Sequence, residues 1–380
     1  MAFDSIDSIL DFLEPVNKAV ISDDEGYRHN QLGSNINAYE DSFPDLENAD
    51  MILIGCNENR GAGILHKEAI AANAVRRELY NLFHWHKDVQ VADAGNIKPG
   101  ASITDTYAAM QTVTSELVQR GKRVAIIGGS HDLTLAQYNV YAAAHKIIEA
   151  VCVDAAIDLN AESVLPCDNF LMQMLTAEPN YIWHYNHIGF QSYLVHPEML
   201  ETIDKLRFDC YRVGKVKENM EDMEPVIRNA HLFSFDISAV QHAHAPANKL
   251  TPNGFTGEEA CMLMQYAGMS NNVNTIGIYG YRQSEDEHAL TAKQISHMLW
   301  YLMDGIQKGK HEARLTDNNN FNEFRMAFAE VETTFLQSKK TGRWWMQLPE
   351  GNYIACSHHD YITASQNEIP ERWMRAVERG

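Results

Sequence analysis

The sequence has no hydrophobic run long enough to cross a membrane. Its longest apolar stretches are short ones such as Met51–Cys56 and Val124–Ile127, whereas a membrane-spanning helix needs roughly 20 apolar residues. The first fifteen residues also lack the basic segment of a secretory signal and carry Asp4, Asp7 and Asp11 instead. We therefore expect no membrane partner and no secretory signal.

Basic side chains are scarce. Lysine and arginine number 31 against 51 aspartates and glutamates, so the formal net charge is −20 at pH 7 and the pI is near 5.2. A field of that sign repels phosphate backbones and anionic lipid. We therefore expect no nucleic-acid partner and no binding to a membrane surface.

Cysteine is sparse and unpaired. The six cysteines are scattered along the chain without a CxxC pair. Several lie in strand-like runs, where cysteine behaves as a small buried hydrophobic residue. This pattern does not indicate a disulfide framework, and it favours a reducing, cytoplasmic location.

The chain does contain enough apolar material for a sizeable core, since 45% of its 380 residues are hydrophobic and 22% are charged. From Met51 onward, short apolar runs alternate with amphipathic stretches, and two of these stretches begin with capping-box spacing, at Ser102 and Asp105 and at Thr256 and Glu259. The alternation predicts an α/β fold, with a mostly parallel sheet covered by helices on both faces.

The same pattern predicts three segments. Residues 1–48 form an N-terminal extension, residues 49–309 form the α/β domain, and residues 310–380 form a C-terminal extension that packs on the main domain. The regular alternation stops after about Gly309. A long polar stretch follows, and we expect it to be helical.

Three apolar runs end in loops that carry metal-ligating residue types. The run at 124–127 is followed by Gly128–Asp132, the run at 150–153 by Asp154–Asp158, and the run at 231–235 by Asp236–Ser238. Because the carboxyl ends of parallel strands meet at one edge of a sheet, we expect one imidazole and three carboxylates to lie together there. That set suits a hard or borderline divalent cation such as Mn²⁺.

These loops resemble the three signatures of the ureohydrolase family of arginases, agmatinases and formiminoglutamases, which are GG-x-H, D-A-H-x-D and S-x-D-x-D. The resemblance covers roughly residues 50–305, with weaker similarity at Asp93–Asn96 and in the 245–256 loop. It implies a three-layer αβα sandwich around a parallel eight-stranded sheet, commonly assembled as a trimer or hexamer. The two extensions are closer to formiminoglutamase-like members than to arginases.

The resemblance also implies a chemistry, in which two Mn²⁺ ions share a hydroxide that attacks the guanidino or amidino carbon of a small linear substrate. Carried over position by position, it implies that one Mn²⁺ is held by His131, Asp154, Asp158 and Asp236. Asp154 and Asp236 would be the carboxylates that bridge the two ions. Three carboxylates in one cluster repel one another, so without a cation at least one should be protonated or rearranged.

Four departures from the family pattern affect the site, and three of them concern the second metal. Ala156 stands where the family has a histidine, Ser238 where it has the second aspartate, and Gln241-His242 where it has Asp-Pro. The fourth is Gly280, where the family has a glutamate that contacts the substrate amidinium. His242 and His244 have a spacing at which both could face a metal, but we expect a solvated loop there. One divalent cation per subunit, or none, is therefore expected.

Two functions remain open from the sequence. The chain is a hydrolase of linear amidines that works with one metal, or with a second ion held by unusual ligands, and its activity is weak or absent. Alternatively, it is a non-catalytic member of the family that acts as a binding, regulatory or assembly subunit. The departures affect both nucleophile generation and substrate orientation, and their joint occurrence slightly favours the second function.

Overall fold

The structure is a computed structural model that describes residues 6–22, 26–65, 69–328 and 331–379. Its strands are β1 (Leu13–Glu14), β2 (Asn37–Ala38), β3 (Met51–Gly55), β4 (Val91–Ile97), β5 (Arg123–Ile127), β6 (Ile148–Val153), β7 (Ile182–Phe190), β8 (Asp209–Arg212), β9 (Leu232–Asp236), β10 (Thr275–Tyr279), β11 (Phe321–Phe328), β12 (Val331–Ser338), β13 (Trp344–Gln347) and β14 (Tyr353–Cys356).

The helices alternate with these strands through most of the chain. They are α1 (Asp7–Leu10), α2 (Lys18–Ile21), α3 (Leu32–Asn35), α4 (Ala71–Asn81), α5 (Ile103–Gln119), α6 (Leu133–Ala143), α7 (Pro166–Thr176), α8 (Pro197–Lys205), α9 (Val213–Glu218), α10 (Met223–Arg228), α11 (Gly257–Met269), α12 (Leu290–Lys310), α13 (His358–Ser365) and α14 (Glu371–Arg379). None of the described helices is both long enough and apolar enough to cross a membrane.

Eight strands of the large sheet run parallel, in the order β4-β3-β5-β10-β9-β6-β7-β8. The two-residue strands β1 and β2 pair with β4 at one edge, β1 antiparallel and β2 parallel. The four central strands are β5, β10, β9 and β6. This topology confirms the predicted α/β fold with a mostly parallel, eight-stranded sheet.

Helices cover both faces of the large sheet, which is why its strands are almost continuously apolar. Successive residues of β3 enter different cores: Leu53 packs with residues of α4, α11 and α12, whereas Ile52 packs with residues of α5 and α6. A third cluster, between β6, β7 and helices α6 and α7, continues that second layer. The result is the predicted three-layer sandwich.

Both predicted capping boxes are present and begin two of these helices. The Ser102 hydroxyl accepts from the backbone N–H of Asp105 at the start of α5, and the Asp105 carboxylate accepts from the Ser102 N–H in return. Thr256 and Glu259 make the same pair of hydrogen bonds at the start of α11.

The segment after α12 differs from the expected helix. Strands β11 to β14 form an antiparallel four-stranded sheet, and α13 and α14 follow it. Along β12 the β-branched and aromatic residues Val331, Thr333 and Phe335 lie at every second position, which favours a strand. The aromatic residues of β11 recur at a spacing that also fits a helix, and β11 is a strand because it pairs with β12.

The C-terminal sheet packs on α10 through charged groups that are buried. The Arg228 guanidinium lies 4.4 Å from the centre of the Trp345 ring and donates to the Trp344 carbonyl oxygen at 2.8 Å. Arg343 donates through Nε to Glu312 at 2.8 Å, and Arg343 and Glu224 lie 3.4 Å apart. Because each buried guanidinium has carboxylate partners, the interface contains ion pairs as well as apolar contacts.

Candidate metal centre

The loops that follow the four central strands form one edge of the large sheet. After β5 the chain turns through Gly128 and Gly129, which have φ values of +93° and +83°. A Cβ at Gly128 would lie 2.8 Å from the Cys56 carbonyl oxygen, and one at Gly129 would lie 2.9 Å from that of Glu58. Only glycine tolerates both the conformation and the close approach, and this turn delivers His131 to the sheet edge.

His131 is buried among three carboxylates. Its Nδ1 atom lies 2.8 Å from Asp158 Oδ2, 3.0 Å from Asp154 Oδ2 and 4.0 Å from Asp236 Oδ2. The two shorter distances are those of hydrogen bonds, yet Nδ1 makes no hydrogen bond within the part of the chain that the structure describes, because the directions are unfavourable. The imidazole nitrogen and the carboxylate oxygens therefore lie close together without bonding to one another, as they would around a shared cation.

The structure thus brings together the four residues that the family resemblance implies. Among the described residues, one oxygen or nitrogen atom each from His131, Asp154 and Asp158 lies within 4.8 Å of the others, and Asp236 stands at the margin of this group. An imidazole nitrogen with carboxylate oxygens fits Mn²⁺ or a similar divalent ion. The donor set therefore fits one ion.

Electrostatics at the cluster show the repulsion that the sequence predicts. Burial and the neighbouring Asp154 charge raise the pKa of Asp158 well above its usual range and that of Asp236 to about 6. Burial also opposes ionisation of Asp154, but the adjacent His131 outweighs it and holds the Asp154 pKa at about 2. Burial lowers the pKa of His131, yet Asp154 and Asp158 raise it well above its ordinary value. The cluster therefore favours a positive charge at its centre.

Hydrogen bonds occupy the position that the family resemblance assigns to a second metal. Asp154 Oδ1 accepts from the Ser238 hydroxyl at 2.5 Å and from the Ala156 backbone N–H at 3.2 Å. Asp236 Oδ1 accepts from the Ser238 backbone N–H at 2.8 Å. The carboxylate oxygens that would face a second ion are therefore already satisfied by this chain, and Ala156 offers no ligand.

Gly280 follows β10 and lies directly against the cluster. Its φ is +75°, and a Cβ built on it would lie 2.5 Å from Asp236 Oδ2. No side chain fits there while Asp236 keeps its position. The chain therefore presents no carboxylate from this strand end toward a cationic substrate.

Sequence reasoning missed the groups that hold the far side of the His131 ring. His131 Nε2 lies 3.0 Å from Ser234 Oγ, which lies 2.6 Å from Thr134 Oγ1, and all three side chains are buried. The Thr134 hydroxyl holds the Ser234 hydroxyl in place, and the Ser234 hydroxyl in turn fixes the orientation of the His131 ring. The sequence did contain a signal for this contact, because Ser234 is the first residue of the S-x-D-x-D motif.

The other candidate histidines do not enter the cluster. His242 and His244 are exposed, and His242 Nδ1 contacts the Asn248 carbonyl oxygen at 2.8 Å. The predicted solvated loop is therefore confirmed. His187 is buried behind the site, with Nε2 lying 3.2 Å from the Asp154 carbonyl oxygen, and burial lowers its pKa to about 4.

Three of the four central strands, β5, β6 and β9, lead into loops that bring one histidine and three aspartates together, as the ureohydrolase resemblance implies for one metal. Comparison with known proteins agrees. The model of the family described as "Arginase family" matches residues 50–304, and the chain therefore belongs to the arginase family. This confirms the resemblance seen in the loops.

Individual relatives are distant. The chain is similar to arginase-1 of Xenopus laevis, at 26% identity over 251 residues that cover 57% of this chain and 78% of the relative. Among solved structures, a formiminoglutamase of Trypanosoma cruzi with Mn²⁺ has a TM-score of 0.64 at 16% identity, covering 73% of this chain and 98% of that one. The formimidoylglutamase of Bacillus subtilis has a TM-score of 0.61 at 18% identity, covering 70% and 89%. These likenesses show the fold.

Proposed function

We propose that this arginase-family protein holds one divalent cation per subunit, Mn²⁺ being the ion expected, at His131, Asp154, Asp158 and Asp236. The observation that carries the proposal is the buried Nδ1 atom of His131, which lies near three carboxylate oxygens and bonds to none of them. Removing this many charges from water is unfavourable unless a cation neutralises them.

The proposed stoichiometry is one rather than two. Ser238 donates through both its hydroxyl and its backbone N–H to the two carboxylates that would bridge a metal pair. A second ion would have to displace both hydrogen bonds and would find no ligand at Ala156. Hydrogen bonds to carboxylates are among the stronger ones in proteins, so this arrangement competes effectively with a weakly coordinated ion.

For the activity, we propose hydrolysis of a C–N bond in a small linear amidine or guanidine, as in a formiminoglutamase. We expect this activity to be weak or absent. A single bound ion would supply a hydroxide and polarise the substrate. This chain's own contribution is to hold that ion with buried carboxylates and to fix the His131 ring through Ser234. With glycine at position 280, nothing at the end of β10 orients the amidinium.

The second candidate function is a non-catalytic binding, regulatory or assembly subunit. Gly280 favours it specifically, because a Cβ at this position would lie 2.5 Å from Asp236 Oδ2, so a substrate-orienting side chain fits only if Asp236 moves. Under either function we propose a cytoplasmic homo-oligomer, a trimer or hexamer, on the strength of family membership alone.

Metal counting beside an activity assay tests these proposals. Protein purified without chelator and loaded with Mn²⁺ should contain at most one ion per chain by mass spectrometry, and Asp154→Asn should abolish binding. The matched control is Asp168→Asn, which neutralises an aspartate outside the proposed ligand set. Two stoichiometric ions in the parent protein would contradict the proposed site.

The same loaded protein is then assayed for urea, ammonia and formamide release from arginine, agmatine and formiminoglutamate. Release that depends on Asp236 supports the hydrolase. A folded, metal-loaded protein with no turnover on any of them supports the non-catalytic subunit. Robust urea release from arginine, lost in Asp236→Ala, would contradict the claim of weak or absent activity.

A further inference from the structure

Strand β11 (Phe321–Phe328) forms one edge of the C-terminal sheet, whose order is β11-β12-β13-β14. All eight of its residues pair with β12 without a register shift, and none of them is proline or glycine. Proteins commonly protect an edge strand with proline, a bulge or a short length. β11 has none of these features and is longer than the roughly five or six residues typical of strands. Its outer edge is therefore suited to pairing with another strand.

The backbone groups that β11 directs outward belong to its odd-numbered residues. The Lys339 N–H donates to the Asn320 carbonyl oxygen at 2.8 Å, and these two positions continue the register in which Phe321 lies opposite Ser338. Hydrogen-bonded and non-hydrogen-bonded pairs alternate along an antiparallel ladder. Even-numbered residues therefore bond to β12, whereas positions 321, 323, 325 and 327 direct their N–H and C=O groups away from it. Those outward groups have no backbone partner in the part of the chain that the structure describes.

The side chains at this edge carry one charge of each sign. Arg325 and Glu323 are exposed to 81% and 47%, and Arg325 Nε lies 2.6 Å from Glu323 Oε1. An exposed ion pair of this kind contributes little to stability. β11 contains no other ionisable side chain, so this edge is neutral although the whole chain has a net charge of −20. Two copies of the acidic chain can therefore approach here without local repulsion.

Pairing of β11 with a second β11 selects one register. Outward residues must lie opposite outward residues, so a twofold axis has to pass through a residue of the strand. With the axis at Phe324, Glu323 of each copy lies opposite Arg325 of the other, and position 321 lies opposite position 327. With the axis at position 323 or 325, two like charges lie opposite each other, which is destabilising. Only the register centred on Phe324 pairs opposite charges, and it engages all four outward positions.

We propose that β11 is a dimerisation edge, at which a second copy of this chain adds its own β11 in the antiparallel direction. The contact is centred on Phe324 and joins two four-stranded sheets into one, and each copy contributes the same residues, as twofold symmetry requires. It lies outside residues 50–304, which match the arginase family, so it does not depend on the trimer or hexamer proposed from family membership. A complete assembly that contains this contact has an even number of chains.

Charge reversal tests this contact in the full chain. Sedimentation equilibrium over a dilution series should show an even number of chains in the parent assembly. Arg325→Glu places glutamate opposite glutamate at two points and should raise the dissociation constant of the twofold contact roughly tenfold or more, so that the particle falls to half the parent's mass. Glu323→Arg should have the same effect. Lys340→Glu reverses the charge of an exposed lysine after β12 and should keep the parent's mass.

Two rescue experiments distinguish strand pairing from misfolding. The double variant Glu323→Arg with Arg325→Glu restores opposite charges in the same register and should recover the parent's mass. An equimolar mixture of the two single variants should also assemble, because one variant has two acidic and the other two basic side chains at this edge. Failure of either rescue, or parental assembly of both single variants, would overturn the proposal. An odd number of chains in the parent would overturn it in favour of a strand from another protein.

Discussion

At the scale of single residues, serine hydroxyl groups contact the ligands of the proposed metal centre and hold them in place. The Ser238 side chain satisfies Asp154 where relatives would bind a second ion, and the Ser234 side chain holds the imidazole of His131 from behind. One serine therefore occupies the proposed position of a second metal, while the other supports His131, a ligand of the proposed first metal. Substitutions at the two should have opposite effects on metal binding.

The double substitution Ala156→His with Ser238→Asp should create a second Mn²⁺ site. It removes the hydroxyl that occupies Asp154 Oδ1 and adds an imidazole and a carboxylate. Titration calorimetry should then count one more ion per chain than in the parent, and Mn²⁺ should raise the Tm further. Either single substitution is the control and should bind no second ion. An unchanged count in a folded double variant would show that these positions do not face the second site.

Ser234→Ala should weaken Mn²⁺ binding roughly tenfold, since loss of a group that orients a metal ligand commonly has an effect of that size. The imidazole loses its partner at Nε2 and turns more freely, while the carboxylates stay in place. Ser296→Ala, at a buried serine in α12, is the matched control and should bind Mn²⁺ as the parent does. Parental affinity in a folded Ser234→Ala protein would exclude this positioning role.

At the scale of elements, the sequence predicted helix starts and strand ends correctly where a local motif directly determines the backbone structure. Capping boxes at Ser102 and Thr256 mark the starts of α5 and α11, because two reciprocal hydrogen bonds define a helix start. The strand-end loops could be placed for a similar reason, as a parallel sheet gathers its carboxyl ends at one edge. The hairpin β11–β12 was missed because it is rich in polar residues and because the aromatic residues of β11 (Phe321, Phe324 and Phe328) recur at a spacing that also fits a helix.

What the sequence could not show was how side chains are shared between distant loops. Ser238 was recognised as a poor ligand, but its hydrogen bond to Asp154 joins residues 84 positions apart. The contact between Gly280 and Asp236 likewise joins the ends of two strands. Contacts between distant loops depend on the positions of both backbones to within tenths of an ångström. Residue type and sequence spacing do not specify those positions.

Thr256→Ala should lower the free energy of unfolding by about 1 kcal/mol, the usual effect of losing an N-cap hydrogen bond. The first turn of α11 loses the acceptor for the Glu259 N–H, while the core contacts of the helix stay intact. Urea denaturation followed by circular dichroism measures the change. Thr256→Ser keeps the hydroxyl and should retain most of the stability, so an equal loss in both variants would assign the effect to the lost methyl group.

At the scale of the whole molecule, an acidic protein carries histidines that stay neutral when folded. Burial, with a contribution from Lys146, lowers the pKa of His231 from 6.5 to about 4. Below pH 6.5 the unfolded chain therefore binds a proton that the native state does not bind until about pH 4. The stability that His231 contributes is present above pH 6.5 and is lost as the pH falls from 6.5 to 4.

The variant His231→Asn should consequently lose less stability than the parent across that interval. A pKa change of this size corresponds to about 3 kcal/mol for a fully buried group, and solvent screening of the partly exposed imidazole reduces the expected difference to about 2 kcal/mol. Asparagine offers an oxygen in place of Nδ1, which accepts from the Glu149 backbone N–H at 3.3 Å. Urea unfolding at a series of pH values gives the slope for each protein. His311→Asn, at an exposed histidine, should follow the parent, and identical slopes in all three would assign the acid sensitivity to other groups.

The close approach of Gly280 to Asp236 also has a consequence for protein engineering. A Cβ at position 280 would lie 2.5 Å from Asp236 Oδ2, and the backbone there has a φ of +75°, which glycine adopts without strain. A side chain introduced at position 280 therefore requires both a movement of Asp236 and a change in the turn. Anyone who redesigns this strand end would have to redesign position 280 and Asp236 together.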